Sequence, residues 1–252
     1  MQPSHTEDSL QPTTQGSSPQ PESISRETPP DRIASLLVQH GVTDITDKFD
    51  FERSDSKPLE GGGFSSVYQG KLQNGDLVAI KRIDKQRVPG LGDKHCKHAA
   101  HEIYTWSKCD YPGVLKVLGF VLSEGYILLI SPWIKNGSLS SHLMHNRPCD
   151  KLGICIDLAG TLEYLHKKGI VHGDIKADNV LVSDLGDVQL GDFGNATLID
   201  FRFTMKKHKA PEILDDSIQW HTTESDIYAL GMVFPSFKTY NQINQGILGS
   251  KS

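Results

Sequence analysis

The chain has 252 residues, 37% of them hydrophobic, enough to bury a substantial core in one large domain or one two-lobed enzyme. That composition argues against a fibrous or wholly disordered protein. Lys and Arg number 26 against 31 Asp and Glu, a formal charge of −5, which argues against a nucleic-acid scaffold or a polybasic membrane binder. The excess sits at the start: residues 1–48 hold Glu7, Asp8, Glu22, Glu27, Asp31, Asp44 and Asp47 against Arg26, Arg32 and Lys48, while the rest is almost neutral. Cys96, Cys109, Cys149 and Cys155 show no C-x-x-C spacing, and no apolar signal segment lies near Met1. A reduced, cytoplasmic setting is expected. The most apolar stretch, Gly125 to Ile134, falls far short of the roughly 20 residues that span a bilayer, so no membrane span is expected.

Residues 1–30 are rich in Ser, Thr, Pro and Gln and bury too little apolar surface to offset ordering entropy. Residues 1–48 therefore read as a disordered tail with a short amphipathic helix. Pro30 and Asp31 suit its first turn, Ile33, Leu36 and Leu37 share a face, and Gly41 can end it. From Phe64 alternating apolar residues run to Leu72, Asn74-Gly75 signals a turn, and Leu77 to Ile83 forms a second strand, which together predict a β-hairpin. A helix is predicted over Lys94 to Lys108, followed by a turn at Asp110 to Gly113 and strands near Val114 to Leu122 and Tyr126 to Ser131.

Beyond Asn136-Gly137 the pattern turns helical. Leu152, Cys155, Ile156, Ala159, Leu162 and Leu165 recur at spacings of three and four, with Gly169 placed to end the helix. This stripe is read as core packing. Short strands are predicted at Ile170-Val171, Asn179 to Val182 and Val188 to Leu190. The expected organisation is a first lobe and connector over residues 49–134, a second, partial lobe over 135–234 and an irregular tail over 235–252.

Three groups of residues carry chemistry. Gly61, Gly62 and Gly63 stand at the entrance to the hairpin, where backbone free of side chains can approach phosphate oxygens; they also suit a flexible turn. Lys81, at the inward end of a strand, needs a partner if buried, and Glu102 on the following helix is the candidate, although both also read as surface charges. The run His172 to Asn179 places Asp174, Lys176 and Asn179 on one loop between strands. Asp174 can accept the proton of an attacking hydroxyl, Lys176 can neutralise a transferring phosphoryl group, and Asn179 with Asp192 can offer oxygen to Mg²⁺.

These motifs, followed by Asp192-Phe193-Gly194, Ala210-Pro211-Glu212 and Asp226 to Gly231, occur in an order that resembles the eukaryotic protein kinase domain, most closely its tyrosine-kinase-like serine/threonine branch. The resemblance implies a bilobal α+β fold with a small antiparallel lobe, a mainly helical second lobe, and ATP with Mg²⁺ between them. It implies that Asp174 is the catalytic aspartate, that Lys81 and Glu102 position phosphates, and that Lys176 steadies the transferring group. Asn179 and Asp192 would hold the metal. Val67, Ala79 and Leu181 would sandwich adenine, behind Ser131 and along Pro132-Trp133-Ile134. Pro132 lacks an N–H, but by analogy that position offers only its C=O while Ile134 supplies the donor. Trp106, His172 and Phe193 would stack between the lobes, with Asp226 anchoring His172.

The sequence departs from that pattern at several points. Glu60 and Ser65 stand where two loop glycines belong, and Gly173 replaces an arginine that in many kinases pairs with a phosphorylated activation segment. Lys206-Lys207-His208-Lys209 lacks an expected aromatic residue and reads as a solvated basic run. Only 21 residues follow Gly231, so the second lobe reads as incomplete, with a partner protein expected to cover it. His95, Cys96, His98 and His101, like His142, His145 and Cys149, are expected to be solvated rather than metal ligands.

The implied function is phosphate transfer from ATP to serine or threonine hydroxyls of a protein substrate, with no nucleic acid involved. The alternatives are a catalytically impaired pseudokinase that works as a scaffold and, against the weight of Lys176 and Asp192-Phe193-Gly194, a small-molecule phosphotransferase. Because Gly173 offers no guanidinium to a phosphate, replacing Thr197 or Thr204 by Glu is expected to change phosphotransfer by less than about tenfold. A larger rise in a transfer assay would contradict that reading.

Overall fold

Strict alternation is visible in the hairpin strands. In the computed structural model, which describes residues 24–25, 28–55, 57–61, 65–84, 95–145, 149–198 and 221–233, Ser66 and Tyr68 of strand β3 (Ser65–Leu72) are buried while Val67 and Gln69 are half-buried. Strand β4 (Leu77–Ile83) repeats the pattern, burying Val78 and Ile80 on one side and turning Ala79 and Lys81 to the other. The two pair antiparallel with Val67 opposite Lys81, and Gly75, at φ +93° in the turn between them, adopts a conformation that costs other residues.

Helix α1 (Pro30–Gln39) comes first in the chain, then β1 (Phe49–Asp50) and β2 (Glu60–Gly61). After the hairpin come helix α2 (His95–Ser107), β5 (Gly119–Ser123) and β6 (Tyr126–Pro132). The sheet is six-stranded in the order β1-β3-β4-β6-β5, with β2 paired to β3, and every pairing is antiparallel. The second lobe holds α3 (Leu139–Met144), α4 (Lys151–Lys167), the short strands β7 (Ile170–Val171), β8 (Val180–Val182), β9 (Val188–Leu190) and β10 (Thr197–Leu198), and helix α5 over residues 223–233. Strands β8 and β9 form one small hairpin and β7 pairs with β10. Side-chain caps start both helices that carry the second lobe's core: Ser138 accepts from the Ser141 N–H at 3.2 Å and Asp150 from the Gly153 N–H at 3.0 Å.

Residues 30–48 do not behave as a tail. Ile33, Ala34, Leu37 and Val42 join the main core, and Ile45 and Phe49 cover the opposite face of the sheet with Tyr68, Val78, Ile80, Val121 and Ile130. The physical reason lies in the sheet. Strands β5 and β6 bury adjacent residues on both faces (Phe120 and Val121, Leu129 and Ile130), so a second apolar layer is needed, and this segment supplies it. The reading of residues 1–23 as disordered, like that of residues 235–252 as an irregular tail, lies outside the described residues.

Two further expectations are corrected. No strand runs from Val114. Leu115 donates to Leu190 O at 2.9 Å and its own carbonyl accepts from Trp106 Nε1, while Leu190 donates to Gly113 O at 2.8 Å, so this segment is drawn to β9 and the sheet strand starts at Gly119. The buried face of α4 is also rotated from the predicted stripe: Ile154, Cys155, Leu158, Thr161, Leu162 and Leu165 are buried, whereas Leu152 is 72% and Ile156 62% exposed. Helix α4 packs against β7 and β9, and that contact, not the strongest apolar periodicity, sets its rotation.

The edge of β5 is closed by the preceding segment, with Phe120 donating to Thr43 O at 2.9 Å and Ile45 donating to Phe120 O at 3.0 Å. Gly119 makes this approach possible, since it has φ +148° and a Cβ there would collide with Thr43 O. Replacing Gly119 by Ala is therefore expected to destabilise the protein by at least about 2 kcal/mol, read by urea unfolding. A change within about 0.5 kcal/mol, the scale of ordinary surface substitutions, would mean that the approach of Thr43 to β5 does not need the glycine.

Candidate active site

Alternation along β4 turns Lys81 away from the apolar layer of Val78 and Ile80 and toward α2. There its Nζ meets Glu102 Oε1 at 2.7 Å and, from the second lobe, Asp192 Oδ1 at 2.7 Å. The Glu102 side chain is only 2% exposed and that of Asp192 40%, so the triad runs from the interior to the open side of the cleft. Burial is the largest influence on Lys81 and disfavours its charge, but Glu102 and Asp192 together outweigh it and hold its pKa above the usual lysine value. Burial pushes the Glu102 carboxyl up against the pull of Lys81. For Asp192 burial acts in the same sense, yet Lys81 and the Gly194 N–H at 3.2 Å prevail and hold its carboxyl below the usual range.

Asp192 has φ +61°, an uncommon conformation for a residue with a side chain. Gly194 lies against the triad, where a Cβ would come 3.2 Å from Asp192 Oδ1, 3.4 Å from Glu102 Oε2 and 3.6 Å from Lys81 Nζ. Its lack of a side chain lets the chain turn tightly beside three charges, a role that reading it only as part of a motif does not reveal.

The loop after β7 carries the second group. Lys176 donates to Asp174 Oδ2 at 2.7 Å, and Asn179 Nδ2 donates to Asp174 O at 2.8 Å and Oδ2 at 3.0 Å. The bond to Asp174 raises the Lys176 pKa, against a smaller effect of burial. With Nδ2 committed to Asp174, Oδ1 is the atom that Asn179 can offer a cation. Asp174 is half-buried, Lys176 exposed and Asn179 buried.

Asp226, on α5 and 1% exposed, fixes this loop from behind. It accepts from the backbone N–H of His172 at 2.8 Å and of Gly173 at 2.9 Å, and lies 3.0 Å from His166 Nε2. His166 is a participant that sequence spacing does not single out, because it sits on α4 and reaches Asp226 only through tertiary packing. The His172 ring is fully buried, with Nε2 3.0 Å from Gly191 O. A carbonyl can only accept, so Nε2 carries the hydrogen and Nδ1 accepts from the Asp174 N–H at 3.3 Å. Burial lowers the His172 pKa despite the Gly191 bond, which keeps the ring neutral. Phe193 packs edge-on to His172 with centroids 5.0 Å apart and stacks on Trp106 at 5.9 Å, and Trp106 Nε1 donates to Leu115 O at 2.6 Å.

The remaining expected site residues are distributed around this cleft. Ser131 is buried on β6 opposite Ala79, and Pro132 pairs with Val78 at the end of that strand. Pro132, Trp133, Ile134, Val67, Ala79 and Leu181 are all half-buried. Gly61 pairs with Ser66 in the β2–β3 ladder. Gly62, Gly63, the Ala210-Pro211-Glu212 motif, Thr204 and Lys206 to Lys209 lie outside the described residues. Gly173, read as a lost arginine, has φ +78°, and a Cβ there would come 2.8 Å from the His221 ring and 2.9 Å from Asn195 O. In this loop geometry any side chain is strained.

His95, Cys96 and His142 are not solvated: all three are buried, and His95 Nε2 and Cys96 Sγ lie 3.1 and 3.2 Å from Gly125 O beneath the β5–β6 turn. No cluster of three or more metal-ligating His, Cys, Asp or Glu occurs among the described residues. Among the same residues, no helix is long and apolar enough to cross a membrane.

A small antiparallel lobe with one long helix, a mainly helical lobe, and a lysine between them that is held by a carboxylate from each define a bilobal kinase-like α+β fold. The chain belongs to the protein kinase domain family, which it matches over residues 54–249. It is 31% identical over 198 residues to a probable serine/threonine-protein kinase of Dictyostelium discoideum, covering 73% of this chain and 30% of that one. It is 32% identical over 194 residues to the calmodulin-binding receptor-like cytoplasmic kinase 1 of Arabidopsis thaliana, covering 71% and 41%. It is 30% identical over 218 residues to wall-associated receptor kinase 3 of the same plant, covering 79% and 28%. The matched stretch thus spans less than half the length of each of these relatives.

Removing the carboxylate of Asp226 leaves one buried and one partly buried backbone N–H without their acceptor. Asp226→Ala is expected to cost about 3 kcal/mol in urea unfolding. A loss under about 0.5 kcal/mol, the scale of a surface change, would show that the His172 loop is held by something else.

Proposed function

We propose that this protein is an ATP-dependent protein kinase that transfers the γ-phosphate to serine or threonine hydroxyls of protein substrates. The observation that carries this reading is Lys81, held at 2.7 Å by both Glu102 and Asp192, beside a loop in which Lys176 and Asn179 converge on Asp174. A cation fixed by two carboxylates is preorganised for phosphate oxygens, and little else is required of a protein in phosphoryl transfer beyond positioning and charge. Asp174 accepts the proton of the substrate hydroxyl. Lys176, already bonded to Asp174, balances charge on the group in transit.

Asp192 and Asn179 are the residues that would hold Mg²⁺. One offers a partly exposed carboxylate held ionised, the other an amide oxygen, the hard donors that this ion prefers. When bound, Mg²⁺ neutralises phosphate charge. Adenine would lie between Val67 and Ala79 on one side and Leu181 on the other, its edge at Pro132 and Ile134, with Gly61, Gly62 and Gly63 over the phosphates. Lys176, two residues after Asp174, supports serine or threonine rather than tyrosine as the acceptor; the tyrosine-kinase-like branch is part of the same proposal. None of the four cysteines is in a disulfide, which supports a cytoplasmic setting; a role in intracellular signalling is part of the same proposal.

A second reading, a scaffold that binds nucleotide or a partner without transfer, is favoured by Glu60 and Ser65 at glycine positions of the phosphate loop. It is also favoured by the exposed apolar side chains Leu152 and Ile156 on α4 and Ile227, Tyr228 and Met232 on α5, which suit a covering partner protein. The two readings part on one variant. Asp174→Asn is expected to lower transfer to a generic protein substrate at least about 100-fold while the thermal shift with ATP and Mg²⁺ persists. Equal activity in the variant removes Asp174 from the role of base, and a wild-type protein that binds nucleotide but transfers nothing supports the scaffold.

A further inference from the structure

Helix α1 precedes the matched kinase domain yet is packed into the first lobe against α2, β5 and β6. Ile33 and Leu37 are 1% and 3% exposed and share a core with Ala99, Ala100, Ile103 and Trp106 of α2. The end of α1 is latched to the end of α2. Lys108 Nζ donates to His40 O at 3.2 Å and lies 4.3 Å from the centre of the Tyr104 ring, and Tyr104 meets the His40 ring edge-on at 5.8 Å. Tyr104 and Glu102 are two residues apart, about 200° around the helix, so they point to opposite sides. One side is gripped by α1 while the other presents Glu102 to Lys81. Downstream, Thr43 and Ile45 are bonded to Phe120 on the β5 edge, which ties the far end of the segment to the same sheet.

We propose that residues 30–45 are a positioning strap for the cleft, in which α1, through Ile33, Leu37 and the His40–Lys108 latch, holds the outer side of α2 and so keeps Glu102 against Lys81. The consequence for phosphotransfer rests on the function proposed above; the positioning does not. The relevant competitor is a merely structural role, in which α1 adds stability to the whole fold and nothing specific to the ion pair.

Hydrogen exchange read by mass spectrometry on the full chain separates the two. Leu37→Ala is compared with Leu162→Ala, which opens a cavity in α4. Under conditions where both remain folded, Leu37→Ala is expected to accelerate exchange in α2 about tenfold while α4 is unchanged, and Leu162→Ala to do the reverse. Acylation of Lys81 by an amine-reactive reagent is expected to rise about fivefold in Leu37→Ala, because a displaced Glu102 no longer engages and covers the Lys81 Nζ that it holds at 2.7 Å. Lys108→Met removes the latch without opening the core and is expected to move both signals the same way by about threefold; it carries the test if Leu37→Ala does not fold. Equal acceleration in α2 and α4, or none in α2, overturns the proposal, as does unchanged Lys81 labelling beside a loosened α2. None of these readouts uses nucleotide or turnover, so a chain that transfers no phosphate still answers the question.

Discussion

The cleft depends on one ammonium group that has been taken out of water. A lysine as buried as Lys81 is costly unless it is paired, and here each lobe contributes a carboxylate to it, Glu102 from α2 and Asp192 from the loop after β9. The pairing constrains three elements that share no sequence neighbourhood. Strand β4 must present its odd side to the cleft, α2 must keep one rotation, and the backbone at Asp192 must hold a positive φ. The exposure gradient from Glu102 to Asp192 leaves the charge accessible on one side only.

Around this triad, apolar and polar supports divide the work between lobes. Trp106, Phe193 and His172 form a continuous ring contact from α2 to the loop that carries Asp174, so a shift in either lobe is felt as lost packing. Asp226 serves the second lobe by accepting two adjacent backbone N–H groups and meeting His166. A neutral His172, committed through Nε2 to Gly191, joins the two systems. The loop that carries the proposed base is therefore set by groups that do not themselves face the cleft.

The segment before the kinase domain completes the first lobe. A sheet whose β5 and β6 strands bury both faces needs two apolar layers; α2 and α1 lie on one side, and Ile45 and Phe49 cover the other. The same segment closes the β5 edge, where unpaired backbone groups would otherwise be exposed. The acidic charge of residues 1–48 thus belongs in part to a packed element, and the apolar positions Ile33, Leu37, Val42 and Ile45 are what anchor it.

By itself the amino-acid order determined the local elements and singled out the polar side chains that the fold gathers. Alternation defined the β3–β4 hairpin, Pro30 and Gly41 bounded α1, and the order of motifs picked out Lys81, Glu102 and Asp192, which meet one another, and Asp174 and Asn179, which are hydrogen-bonded, because such signals act over a few residues or form an ordered set of motifs. Tertiary structure alone decided the rest. The rotation of α4, the diversion of Leu115 to β9, the burial of His95 and Cys96, the meeting of His166 with Asp226 and the docking of residues 30–45 all turn on contacts between distant segments. Such contacts leave no periodicity in the chain, since each depends on which surface the partner element happens to offer.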